Sequence, residues 1–223
     1  MANTLTSRKT GALPLLIAGE KLFGSHGIEG VSIRQINFAA GMSNNSAVTY
    51  HFGDKAGFVT AICKWRMPQL LDAARAEYEK VVAEGRLNDV SKLIGALLRP
   101  YLAIEDEDGR HPHAAFINQL LRSPVGRAVR RSLFDDSDPT LHILRRLEEL
   151  HPHVPKALLH YRLRIMGTAF FDALMEWDRN EDDPEDPRFT LDELIHEIEK
   201  MAAAACSWDQ TAIKRNIPEI HRS

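Results

Sequence analysis

Apolar residues in this 223-residue chain recur at spacings of three and four, and nowhere show a convincing two-residue alternation of half-buried strands. That periodicity predicts an all-α fold of helices packed on helices. Leu15, Gly19, Leu22 and Phe23 form the first stripe. It reads as an amphipathic helix rather than the core of a cleaved signal, because Glu20 and Lys21 interrupt it. No apolar run approaches the roughly 18–20 residues that span a bilayer, so no membrane partner is expected. Two cysteines, Cys63 and Cys206, exclude a disulfide scaffold and suit a reducing, cytoplasmic setting.

Glycine, proline and capping residues divide the periodic segments. Gly24, Gly27 and Gly30 close the first helix. Ser32-Ile33-Arg34-Gln35 has the form of a capping box, Ile33, Ile36, Ala39 and Ala40 give a buried face, and Gly41 suits a left-handed stop. Ser43 or Asn44 is predicted to cap a third helix running to about His51. Gly53-Asp54 breaks it, with Asp54 capping a fourth. Pro68 suits the first turn of a further helix that Gly85 closes. Helices follow at about 89–104, 112–122, 125–134 and 139–150. The longest stripe is Leu159, Leu163, Met166, Phe170, Ala173 and Trp177, in a helix predicted at 155–178. After an acidic loop at 179–189, the last stripe runs from Leu191 through Ile198 to Ala205.

Net charge over the chain is −3, which does not advertise a nucleic-acid partner. The first 66 residues nevertheless hold seven basic residues against three acidic ones, leaving +4 there and −7 in the remainder. Such asymmetry is the informative quantity when the total is near zero. We place a first domain at 1–66, a second at 67–208 and a tail at 209–223.

Two short helices joined by a tight glycine-containing turn, after a third helix, make a helix-turn-helix. The second of the pair can enter a major groove about 12 Å wide. Asn44, Asn45, Ser46 and Thr49 are its polar residues; Asn can bond adenine bidentately and Ser or Thr can reach bases or phosphates. Tyr50, His51 and Lys55 follow at its end, suited to phosphate oxygens. The same asparagines also suit plain helix capping.

The run Leu15-Leu16 to Leu22-Phe23 and Gly27, then Val31-Ser32-Ile33-Arg34-Gln35-Ile36, Ala40-Gly41 and Tyr50-His51-Phe52-Gly53-Asp54-Lys55, resembles the DNA-binding domain of the tetracycline-repressor (TetR) family. The resemblance covers about 15–65. It implies a non-enzymatic transcriptional regulator, commonly a repressor, that binds a pseudo-palindromic operator as a homodimer and is released by a small-molecule effector. It places Ser32, Arg34, Asn44, Asn45, Ser46, Thr49, Tyr50, His51 and Lys55 at the DNA, with Lys55 on phosphate. It puts the dimer interface on the last two long helices and an effector pocket among the middle ones. Trp65, Met67, Leu71, Tyr101, Phe116, Gln119, Met166 and Phe170 are the pocket candidates. The chain departs from the family pattern at Gly19, where Ala is usual, at Thr49, where an aromatic often stands, and across 42–48, which is one residue longer than the commonest form.

The alternative of another class uses two identical tripeptides, His111-Pro112-His113 and His151-Pro152-His153. Imidazoles ligate zinc, copper or nickel, and an all-α metal-binding protein or enzyme would use them. Both read as solvated loops at helix starts, and no H-E-x-x-H or G-x-S-x-G arrangement accompanies them. Neither a catalytic residue nor a metal or other cofactor is therefore assigned.

Overall fold

The computed structural model describes residues 3–44, 46–133, 139–180 and 190–208. Asn45, most of the acidic loop and the proposed tail lie outside the described residues. Those described are helical wherever regular: α1 (Asn3–His26), α2 (Ile33–Ala39), α3 (Ala47–Phe52), α4 (Lys55–Ala83), α5 (Val90–Leu98), a short 3-10 helix (Arg99–Ala103), α6 (Pro112–Arg122), α7 (Pro124–Leu133), α8 (Pro139–Leu150), α9 (Lys156–Asn180) and α10 (Leu191–Ser207).

Local chemistry sets the helix ends. The Ser32 hydroxyl accepts from the Gln35 amide at 3.3 Å, while Gln35 Oε1 accepts from the Ser32 amide at 2.8 Å, completing the capping box. Gly41, at φ +69°, ends α2: its amide donates to the Phe38 carbonyl and that of Met42 to Asn37. Asp54 caps α4 by accepting from the Gly57 amide at 2.7 Å. A second capping box, Thr190 with Glu193, opens α10; its T-x-x-E signature stands in the sequence.

Two predicted boundaries are corrected. The third helix begins at Ala47, later than expected, because Asn44 Oδ1 accepts the Ser46 amide at 2.8 Å and holds a turn in place of a first helical turn. The fourth helix does not end before Pro68 but runs through it. Pro68 leaves the Lys64 carbonyl without its amide donor. Both residues are exposed, so water can hydrate that carbonyl and the helix survives. Residues 66 and 67 are thus neighbours within one helix.

The buried side chains form two cores. The first gathers Leu15, Phe23, Ile36, Val48, Phe58 and Ile62 from α1–α4, together with Phe116 and Leu120 of α6 and Val129 of α7. The second joins α5, α8, α9 and α10 through Leu93, Ile94, Ile143, Leu147, Leu159, Phe170, Ile195 and Ile198. The long stripe of α9 therefore turns toward its own core, with Leu159 and Phe170 fully buried. Its opposite side leaves Tyr161 and Ile165 exposed, as are Met201 and Trp208 at α10.

Glycines let α1 approach its neighbours. A Cβ on Gly19 would lie 2.4 Å from the Phe58 ring, which accounts for the departure from Ala. One on Gly24 would lie 2.9 Å from Ala115 Cβ and 3.2 Å from the Phe116 amide nitrogen, so α1 and α6 pack close at that point.

Candidate nucleic-acid interface and interior cavity

Helices α2 and α3 are locked by Asn37, a buried residue whose Oδ1 accepts from the Val48 amide at 3.1 Å. That bond satisfies one of the free donors at the start of α3 and fixes its angle to α2. Nothing singles Asn37 out in the sequence beyond its place beside Ile36. Val48 anchors α3 in the first core. Thr49 and Tyr50 are left exposed, Tyr50 at 68%.

Asn44 and Ser46 are exposed in the turn before α3, rather than on the helix as expected. Ser32 and Arg34, at the start of α2, are also exposed. The Ser32 hydroxyl donates to Gln35 at 2.7 Å. His51 is half-buried, its ring 5.1 Å from that of Tyr50 and 5.8 Å from that of Phe52. Lys55 folds back on the domain: its Nζ donates to the Glu29 carbonyl at 3.4 Å and lies 5.7 Å from the Phe23 ring centroid. This long, loose contact can be exchanged for a phosphate.

A cavity of about 390 Å³ lies between α4, the α5–3-10 segment, α6, α8 and α9, within the range of small-molecule sites. Of the sequence candidates, Met67, Leu71 and Tyr101 line it. The others sit elsewhere. Trp65 packs on the first core with the Arg66 guanidinium 3.9 Å from its ring centroid, and Phe116 belongs to that core. Met166 and Phe170 pack in the second. Gln119 lines a more polar recess beside Lys21 and Asp178. Cys63, His113 and Arg164 line the cavity without having been among the pocket candidates. Burial pushes the Cys63 thiol up to about 12, so it is a neutral wall.

The first His-Pro-His segment is not the solvated loop predicted. The His111 amide donates to Asp178 Oδ2 and its Nδ1 lies against Oδ1, both at 2.8 Å. His113, fully buried, sets its Nδ1 2.7 Å from Glu20 Oε1. Arg66 donates to both oxygens of the same carboxylate, at 3.0 and 2.6 Å. Burial pushes Glu20 up, but hydrogen bonds and charge from His113 and Arg66 outweigh it and hold the carboxyl below its ordinary range. Burial, helped by the Arg66 charge, holds His113 below its usual value against the pull of Glu20. The trio is thus a carboxylate, a guanidinium and a neutral imidazole, joining α1, α4 and α6. In the second segment His151 is also buried; its Nδ1 bonds the Leu147 carbonyl at 2.8 Å, while His153 is exposed. Among the described residues no group of three or more His, Cys, Asp or Glu is placed to hold a metal ion, and no helix is long and apolar enough to cross a membrane.

A locked helix pair on the positively charged end of the chain, with polar side chains left exposed beside and on its second helix, defines a helix-turn-helix DNA-binding protein. Residues 15–62 match the family model described as bacterial regulatory proteins, tetR family. The HTH-type transcriptional repressor AcnR of Corynebacterium glutamicum is 28% identical over 165 residues, covering 72% of this chain and 79% of that protein. The crystal structure of PfmR, a TetR family transcriptional regulator from Thermus thermophilus, aligns over 92% of this chain and 99% of its own, at 21% identity and a TM-score of 0.41. The family match over residues 15–62 and the AcnR likeness make this chain similar to transcriptional regulators of the TetR type.

Proposed function

We propose that the protein is a cytoplasmic repressor that binds a pseudo-palindromic operator as a homodimer and leaves it when a small molecule fills the interior cavity. The observation that carries this reading is the exposed, hydrogen-bond-capable surface of Asn44, Ser46, Thr49 and Tyr50 on a helix pair pinned by Asn37. Asn45 joins that surface on the strength of sequence alone. Ser32, Arg34, His51 and Lys55 surround it as phosphate-facing groups, which position the protein while the α3 residues specify sequence. Repression as the sign of regulation is supported by the likeness to AcnR, itself described as a repressor.

Dimerisation is supported by the apolar side chains left outside on α9 and α10: Tyr161, Ile165, Met201 and Trp208. An isologous dimer through that face presents two heads to two half-sites, as a palindromic operator requires. Effector release is supported by the cavity and by its position against α6, the helix that packs on α1. A ligand preferring one arrangement of α1 and α6 shifts DNA affinity by the difference in its own affinity for the two. The working division is a DNA-binding part at 1–66, an effector and dimerisation part at 67–208, and a tail at 209–223.

Selection of random duplexes on the purified protein, sequenced, tests the reading together with light scattering during size exclusion. An enriched inverted repeat and a dimeric mass are expected. No enrichment, or a monomer at micromolar concentration, contradicts it.

A further inference from the structure

Among the described residues that line the cavity, one buried side-chain nitrogen has no hydrogen-bond partner. His113 is fully buried, lines the cavity, and its Nε2 has no hydrogen-bond partner among the described residues. Its other nitrogen is committed to Glu20, which does not line the cavity, so one residue belongs both to the α1 joint and to the cavity wall. A carboxylate can only accept, so Nδ1 carries the proton. Burial and the Arg66 charge keep the ring neutral, which makes Nε2 a lone pair: a buried acceptor in want of a donor. The cavity is walled in part by Met67, Leu71, Leu97, Ile117, Leu163 and Phe171, and Tyr101 stacks on the imidazole with ring centroids 6.2 Å apart. Those groups offer contact area rather than charge.

We propose that the cavity takes a neutral, largely apolar molecule bearing one hydroxyl or N–H group, which donates to Nε2 of His113. Glu20 is the positioning residue: by holding Nδ1–H it fixes the tautomer that presents an acceptor to the ligand. The inference rests on the reading of the cavity as an effector site, and it names the chemical class that site selects. Arg164, also on the lining, marks the rival outcome, an anion held by its guanidinium.

The test is calorimetric titration of the full-length protein with matched probes: 2-naphthol against 2-methoxynaphthalene, decan-1-ol against its methyl ether, and 2-naphthoate as the anion. Wild type is expected to bind each alcohol about tenfold or more tighter than its ether, since a site with an unpaired acceptor rejects a partner without a donor. His113→Asn places an amide N–H where Nδ1 was, keeping the Glu20 bond, but removes Nε2; its alcohol-to-ether ratio should fall to within about twofold while cooperative melting persists. Glu20→Gln, free to donate to Nδ1 and release the other tautomer, should also shrink the ratio. A defect confined to packing would weaken alcohol and ether alike. Equal binding of alcohol and ether to wild type overturns the inference while leaving a small-molecule site standing. Preference for 2-naphthoate, lost in Arg164→Ala, overturns it in favour of an anion. Failure of every probe to bind overturns both the inference and the effector reading.

Discussion

The two His-Pro-His segments are identical as written and unlike as folded. In the first, both imidazoles face carboxylates from distant parts of the chain: His111 meets Asp178, and His113 meets Glu20, 93 residues earlier. In the second, His151 bonds the carbonyl of Leu147 four residues before it and approaches Ser207 Oγ at 3.3 Å, while His153 is exposed to solvent. The first segment ties α6 to α1, α4 and α9, between the DNA-binding end and the cavity. The second finishes α8. A short motif therefore assigns no role by itself; the role comes from what the fold brings opposite it.

Glu20→Ala should separate the two segments most. It strands the Arg66 charge and leaves His113 Nδ1–H without its acceptor, so a loss of about 3–5 kcal/mol is expected in denaturant unfolding. A loss near zero would show that the trio does not hold α1 to the body. Asp178→Ala removes the carboxylate that accepts both His111 hydrogen bonds and should cost about 1–3 kcal/mol. His151→Ala, losing the bond to the Leu147 carbonyl and the longer one to Ser207, should cost about 1–2 kcal/mol. His153→Ala should stay within about 0.5 kcal/mol of wild type, since its side chain is exposed to solvent.

Acid separates the segments in another way. Because His113 is held below its ordinary 6.5, the fold prefers it neutral, while the unfolded chain protonates it near 6.5. Its contribution is fully present above that value and declines as pH falls below it, by at most about 1.4 kcal/mol per pH unit. Glu20, held below its ordinary 4.5, adds a second loss under that pH. Melting temperature followed from pH 7.5 to 5 should therefore fall less in His113→Asn than in wild type or His153→Ala. Parallel curves for all three would place the acid sensitivity elsewhere.

Much of the architecture is legible in sequence because its signals are local. Ser32 with Gln35, Gly41, Asp54 and Pro112 each sit at the helix end they predict. Pro68 misleads because its effect depends on whether the orphaned carbonyl meets water, and exposure is a property of the whole fold. Asn44 misleads because an asparagine before a helix serves a cap and a turn equally well. The lining of the cavity is less legible still. Phe116 and Phe170 have the composition of pocket residues but are spent on the two cores, whereas His113 reaches the cavity through a partner 93 residues away. Asn37, which locks the helix pair, carries no signal beyond being a polar residue beside a buried one.

On the proposed function, the α2–α3 pair reads DNA with Thr49 at the bases and Lys55 at the backbone. Fluorescence anisotropy of the selected duplex and a scrambled one, over a range of salt, tests this with wild type, Thr49→Ala and Lys55→Ala. Thr49→Ala should narrow the gap between the two duplexes by about 1 kcal/mol or more with an unchanged salt slope. Lys55→Ala should weaken both duplexes together and lower the slope by about one ion per head. If both variants match wild type in affinity, specificity and salt dependence, the assignment of this surface to DNA is wrong.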